Sequence, residues 1–332
     1  MSTIYENGLA DLRGLSLHAR AAEVLTWQGR RALRLDGLVV IPDILVPEAC
    51  IEVQIGCDSA AYPGIAFHIQ DQLNYELAYA QPHTSGKWDA LQYDPVFHGS
   101  NTWQLYHGEA YQKATAVPLG EWFAFKVEFK EGWAAVRVGE QSPLIVERLA
   151  HQHCSGLVGF WTYLPAYFCD LCASECQSTP VFVGSTSQSP TGVLNEWFLE
   201  DFGRVACEPN GILNLNRYLP ATVSEARLTR RFEAFTNESV EFTFGFSDNL
   251  SLQLDDEVLF TGQNTYSDSL NWSERGYVDF NQFSIQRSLA PGIHRLTAVL
   301  KVSEPFGWGL SLVLRGGKVR LLAAEAGEKL GS

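Results

Sequence analysis

The sequence predicts an all-β protein made of two tandem antiparallel β-sandwiches of jelly-roll type. Three observations carry this expectation. Apolar residues recur at a period of two in short runs, Gly, Pro, Asn or Asp closes each run, and no long stretch holds the 3.6-residue period of a helix. Short strands without intervening helices can bury their apolar faces only against one another, which means a sandwich or a barrel.

The first alternating run goes from Ala32 to Asp36 and continues through Leu38 to Pro42. Cys50 to Gly56, Gly64 to Ile69, Tyr75 to Tyr79, Trp122 to Phe129 and Ala134 to Val138 follow. One or two turns of helix are expected near Ala19 to Val24. The stretch from Gln177 to Gly192 is rich in Ser, Thr, Pro and Gly and reads as a linker. Strand signals then resume at Ile212, Arg227 to Phe232, Ser239 to Phe246, Leu250 to Leu254 and Val258 to Phe260, with Asp255-Asp256-Glu257 as an acidic hairpin turn. Ile293 to Val302 and Trp308 to Leu314 close the chain, and the remainder from Gly316 is expected to fray or form a short helix. The expected boundaries are 1–178 for the first sandwich, 179–194 for the linker, 195–318 for the second sandwich and 319–332 for a tail.

The length of 332 residues suits two domains of roughly 150 residues each. Hydrophobic residues at 46% and charged residues at 19% describe a globular chain and exclude a disordered or fibrous one. The net charge of −14, with no basic cluster, argues against nucleic acid and against polyanionic glycans. No apolar run is long enough to span a membrane as a helix, and the N-terminus lacks the apolar segment of a secretory signal. Seven cysteines, an odd number, then suggest reduced thiols in the cytoplasm.

Two family resemblances appear in these runs. The stretch from Tyr62 to Leu77 (YPGIAFHIQDQLNYEL), Gly120 to Val127 (GEWFAFKV) and Ser155 to Phe160 (SGLVGF) resembles the laminin-G/concanavalin A-like superfamily over about residues 30–175. His83 to Tyr93 and Trp103 to Gly108 are similar to bacterial members described as glycoside-hydrolase-like. Farther on, Phe246 to Asn249, Leu254 to Gly262, Pro291 to Leu296 and Phe306 to Gly309 resemble a galactose-binding-like or PA14-like jelly roll. The first superfamily hosts lectins, glycosidases, lyases and adhesion modules, so the resemblance implies a fold more than a reaction. Its acidic E-x-D-x-x-E signature is absent.

Residues 68–107 concentrate aromatic, imidazole and charged side chains. The candidate ligand-binding residues are His68, Tyr75, Tyr79, His83, Lys87, Trp88, Asp89, Tyr93, His98, Trp103 and Tyr106. A sugar offers apolar CH faces and polar edges, so its site needs aromatic platforms beside hydrogen-bonding groups. Alternation places Tyr75, Leu77 and Tyr79 on one strand face, with the Gln81 to Asp94 loop overhanging it. The plainer alternative is that these rings fill the core and the histidines cap loops. Asp89, Asp94, Glu109 and Glu76 are the carboxylates a glycosidase would draw on.

No metal or cofactor is expected. Cys169, Cys172 and Cys176, with His151, His153 and Cys154 upstream, have the one zinc-like spacing, but they also read as small apolar residues on a strand. Asp248, Asn249, Asp255, Asp256 and Glu257 could offer oxygen ligands to Ca²⁺, against the simpler reading as polar turns. The functional expectation is recognition of a neutral saccharide or glycoside by the first domain. A glycoside-hydrolase-like enzyme using a loop carboxylate and a protein-interaction module are the alternatives. The oligomeric state is not legible.

Overall fold

A computed structural model describes residues 2–152, 155–177, 189–269 and 271–325. Among the described residues every regular element is a strand, apart from three single 3₁₀ turns at Pro82–Thr84, Leu215–Arg217 and Trp272–Glu274. No helix among them is long and apolar enough to cross a membrane. The chain forms two compact units. The first comprises Met1–Gly99 and Tyr106–Thr186, and the second Ser100–Leu105 and Ser187–Ser332. The second unit is therefore built from two separate stretches of sequence, one of which lies inside the expected first domain. Of the expected linker, residues 179–188 lie outside the described residues, whereas Val193 bridges to Val313 and Leu194 is buried in the second core.

In the first unit an antiparallel path runs through Gln112–Lys113, Leu91–Tyr93, Asn74–Ala80, Gly64–Asp71, Gly156–Ser174, Ala49–Gly56, Phe123–Lys130, Trp133–Val138 and Leu144–Val146. Two long strands, Arg30–Val46 and Gly156–Ser174, pair with each other across register shifts at Leu157/Val158 and Thr162/Ala166. The first half of Gly156–Ser174 pairs with Gly64–Asp71 and its second half with Ala49–Gly56. A bulge bends and twists a strand, so this ribbon turns back and its two halves face each other. Phe67 from one half stacks on Phe129 from the other, with ring centroids 4.9 Å apart. Val53, Phe125, Phe160 and Phe168 fill the same space and are fully buried.

The helix expected near Ala19 to Val24 is instead the middle of a strand, Ser16–Trp27, paired with Arg30–Val46. Alanines at 19, 21 and 22 favour a helix. The two-residue turn Gln28-Gly29, with φ of 44° and 75°, matches the twist of a hairpin and places these residues against a ready partner.

The second unit has one sheet ordered Gly203–Ala206, Glu196–Leu199, Glu225–Ala234, Gly292–Lys301, Asp248–Leu254, Glu257–Asn264. The other sheet is ordered Leu213–Asn214, Gly309–Arg315, Glu238–Phe246, Phe283–Leu289. Trp197, Phe232, Phe242, Phe244 and Phe246 form the core between them. The acidic hairpin forms as read: Leu254 pairs with Glu257, and Asp255 and Asp256 take φ of 49° and 71°. Past Gly316 the chain is neither frayed nor helical where it is described. Val319–Leu321 pairs with the end of Glu225–Ala234, because its alternating side chains extend that sheet.

Candidate functional site

The structure distributes the candidate ligand residues over several places. Tyr93 and Tyr106 are buried within the first unit, at 0% and 2% exposure, and contact each other and Tyr111 edge-on or stacked. Rings so enclosed cannot serve as a stacking face. Tyr93 instead donates its phenol to Glu76 Oε2 at 2.6 Å, and receives the Ala150 N–H at 2.7 Å. His151 N–H reaches Glu76 Oε1 at 2.9 Å. Burial, reinforced by the Glu76 charge, holds the Tyr93 phenol well above its ordinary range. Asp89 and Asp94 are buried too, which removes them as solvent-facing acids, while Glu109 is exposed. Lys87 and His83 are exposed, and Trp88 and His98 are half-buried. Trp103 belongs to the second unit and is corrected out of this cluster. His153 and Cys154 lie outside the described residues. Among the described residues no group of three His, Cys, Asp or Glu side chains is placed to hold a metal.

Tyr75, Leu77 and Tyr79 do share a strand face, the one turned away from Phe67 and Phe129. They pack there with Leu38, Val40 and Ala66, and burial raises the Tyr75 phenol. Tyr75 and Tyr79 retain only 4% and 5% exposure, so the contact surface is made by the rings around them.

Register shows how that surface is built. Pairing aligns His18, Leu38, Trp161, Gly64 and Tyr79 in one row across five strands. Along Gly156–Ser174, Val158 and Phe160 turn to the core while Leu157 and Trp161 turn outward. Gly64 carries no side chain, and a Cβ there would lie 2.0 Å from Ala78 O and 2.7 Å from Tyr79 Cβ. Trp161 and Tyr79 therefore meet, centroids 5.7 Å apart. Tyr62 stands edge-on to Tyr79 at 5.9 Å and to His83 at 4.9 Å, and lies 5.8 Å from Tyr163. Tyr163 is 49% exposed, and Arg20 lies over its ring at 5.2 Å. Asp36 holds the Arg20 guanidinium with two bonds of 3.1 and 2.5 Å. The result is a group of accessible rings, Trp161, Tyr62 and Tyr163, set around the buried Tyr79 and edged by a guanidinium, a carboxylate and an imidazole. Such a surface can stack on an apolar ring face and hydrogen-bond to its edges. Sequence reading passes over Trp161, Tyr163 and Arg20. The i, i+2 spacing of Trp161 and Tyr163, opposite in parity to Phe160, is the signal that would have found the pair.

His68 lies at the other end of Gly64–Asp71, roughly 13 Å away at the usual rise of a strand. It lines a cleft of about 820 Å³ with Pro47, Glu48, Glu131, Gly132, Glu147, Arg148 and Gln152. Its Nε2 is 3.1 Å from Pro47 O and its ring meets Phe129 edge-on at 4.8 Å. His68, Glu131 and Gln152 all have left-handed backbone, φ of 47°, 47° and 56°. Non-glycine residues adopt this region at a cost, and it clusters at ligand sites. The Glu76–Tyr93 pair anchors Ala150 and His151, and so fixes the loop that contributes Glu147, Arg148 and Gln152 to the cleft.

No family model matches the chain, and no curated protein matches it. Solved structures overlap it weakly. The carbohydrate binding module CBM66 from Bacillus subtilis is 12% identical, with 49% of this chain and 96% of that one covered and a TM-score of 0.39. A Bacillus subtilis protein of unknown function with a galectin-like fold is 9% identical, with coverage of 53% and 96% and a TM-score of 0.40. Domains LG4-5 of the mouse laminin alpha1 chain are 12% identical, with coverage of 97% and 93% and a TM-score of 0.26. The two-sandwich fold rests on the strand pairing above rather than on these overlaps.

Proposed function

We propose that the first unit binds a neutral saccharide or glycoside on the accessible rings of Trp161, Tyr62 and Tyr163, which pack around the buried Tyr79. The observation that supports this reading is the Gly64 gap, which brings Trp161 beside Tyr79 on the outer face of the sheet. His83 and the Arg20–Asp36 pair supply donors and acceptors at its margin, and a net charge of −14 favours a neutral ligand over a polyanion. A glycan array followed by calorimetry tests it. Trp161→Ala should weaken binding by about 1–3 kcal/mol, by analogy with other ring-stacking contacts, with the fold retained. Absence of binding to any neutral glycan, or an unchanged affinity in Trp161→Ala, overturns the reading.

A second reading, glycoside hydrolysis, is favoured by the three glutamates of the His68 cleft. Glycosidases use two carboxyl groups about 5 to 9.5 Å apart, and Glu48, Glu131 and Glu147 all line this one cleft. A reducing-sugar assay on the purified protein separates the two readings. Turnover abolished by Glu131→Gln or Glu147→Gln would establish the enzyme, and absence of turnover beside measurable binding would leave the lectin-like role.

A further inference from the structure

The second unit takes in a short piece of chain from far upstream, Ser100–Leu105. This strap is bonded on both sides. Gln104 N–H donates to Phe306 O at 3.1 Å, and Val278 N–H donates to Gln104 O at 3.0 Å. Asn210 Nδ2 donates to Leu105 O at 3.2 Å. Leu105 N–H closes back on Thr102 O at 2.9 Å, so the segment is received as a turn held by main-chain bonds and not as an added strand.

The side chains are received as specifically as the backbone. Trp103 lies within 5.4–5.8 Å of the rings of Phe306, Tyr277 and Tyr266, with Arg275 5.9 Å from its centre. Gln104 is fully buried, and its Nε2 reaches Arg275 O at 3.3 Å and Glu304 Oε2 at 3.4 Å. Leu105 is 1% exposed. Three glycines of the second unit make room for Gln104 and Leu105. A Cβ at Gly276 would lie 2.3 Å from Gln104 Nε2. One at Gly307 would lie 3.1 Å from Leu105 Cγ, and one at Gly309 2.6 Å from Leu105 Cδ2. Gly276 and Gly307 also take φ of 73° and 121°, so glycine serves both the backbone there and the close approach of Gln104 and Leu105.

We propose that the second unit carries a peptide groove, shaped for an aromatic–amide–leucine sequence and filled in cis by Trp103, Gln104 and Leu105, and that residues 187–332 are incomplete without it. The partner this surface fits is thus a segment of the same chain. The inference stands on the second unit alone and is independent of the saccharide reading.

The test uses the full-length chain with a site-specific protease sequence placed within residues 179–186. After cleavage the two pieces should co-elute on gel filtration at the position of the uncut chain. In the cut Leu105→Asp variant, which drives a charge against Gly307 and Gly309, they should separate. Separation of the wild-type pieces at micromolar concentration overturns the proposal, as do Leu105→Asp pieces that remain together as firmly as wild type. Should Leu105→Asp fail to fold, uncut Leu105→Ala decides. Amide exchange at Val278 and Gln104 should quicken by at least about tenfold, and unchanged exchange there refutes the groove.

Discussion

The phenol of Tyr93 donates a 2.6 Å hydrogen bond to the buried carboxylate of Glu76, and through Ala150 and His151 this pair holds the loop that walls the His68 cleft. Tyr93→Phe keeps the ring and deletes the donor. A hydrogen bond to a charged buried group contributes about 1.5–3 kcal/mol, and the first unit should melt lower by a corresponding amount in denaturant titration. Because the native pair keeps the phenol neutral, its stabilisation is complete below the unfolded tyrosine pKa and fades as pH rises into the alkaline range. Wild type should therefore lose more stability than Tyr93→Phe between pH 9 and 11. Equal alkaline slopes would refute this role.

Asp248 should give the second unit the opposite of an ordinary acid sensitivity. Burial pushes its carboxyl up to about 6, with the Glu304 charge adding to the rise, while the N–H groups of Ser303 and Glu304 pull against it. An acid whose native pKa exceeds its unfolded value binds its proton more readily when folded, so stability grows as pH falls from about 7 to about 4. The thermal midpoint of the second unit should climb over that range in wild type and stay flatter in Asp248→Asn. A falling wild-type midpoint over pH 7 to 5 contradicts it.

Gly64→Ala should harm both fold and site. Its Cβ would sit 2.0 Å from Ala78 O and 2.6 Å from Tyr79 Cα, backbone atoms that cannot swing aside. A cost of about 1–3 kcal/mol is expected for such overpacking. Any glycan binding should weaken along with it, because the Trp161–Tyr79 spacing depends on that approach. A variant as stable as wild type shows that the two strands can separate without penalty.

Thiol reactivity should divide by burial. Cys57 is fully enclosed and pushed up to about 12 by burial, and burial also raises the Cys207 thiol. Cys172 is only half-buried. In a brief iodoacetamide pulse at pH 8, peptide mass spectrometry should find Cys172 alkylated at least about tenfold faster than Cys57. Comparable rates would mean that the native packing opens readily around Cys57.

Strand positions and hairpins were largely legible because they depend on neighbours in sequence. The Asp255-Asp256 turn shows this: both residues tolerate positive φ, and alternating runs flank them. The fate of Ala19 to Val24 was not legible, since local helix preference there is overruled by a partner strand. The ring row was only half visible. Alternation puts Tyr75 and Tyr79 together, but aligning Tyr79 with Trp161 through Gly64 requires register between segments far apart in the chain. Trp103, Gln104 and Leu105 gave no local sign at all of their destination. Their meaning lies in the rings of Tyr266, Tyr277 and Phe306 around Trp103 and in the glycines at 276, 307 and 309 around Gln104 and Leu105, which meet them only after folding.

The strap also sets an order of events during synthesis. Trp103 and Leu105 leave the ribosome about 200 residues ahead of Gly309, the last of the groove's glycines. At about 5–20 residues per second, that leaves the segment without its receptor for about 10–40 s. For that interval the nascent chain presents an indole and a leucine side chain to whatever surrounds it, and the second sandwich must close around a guest that arrived first.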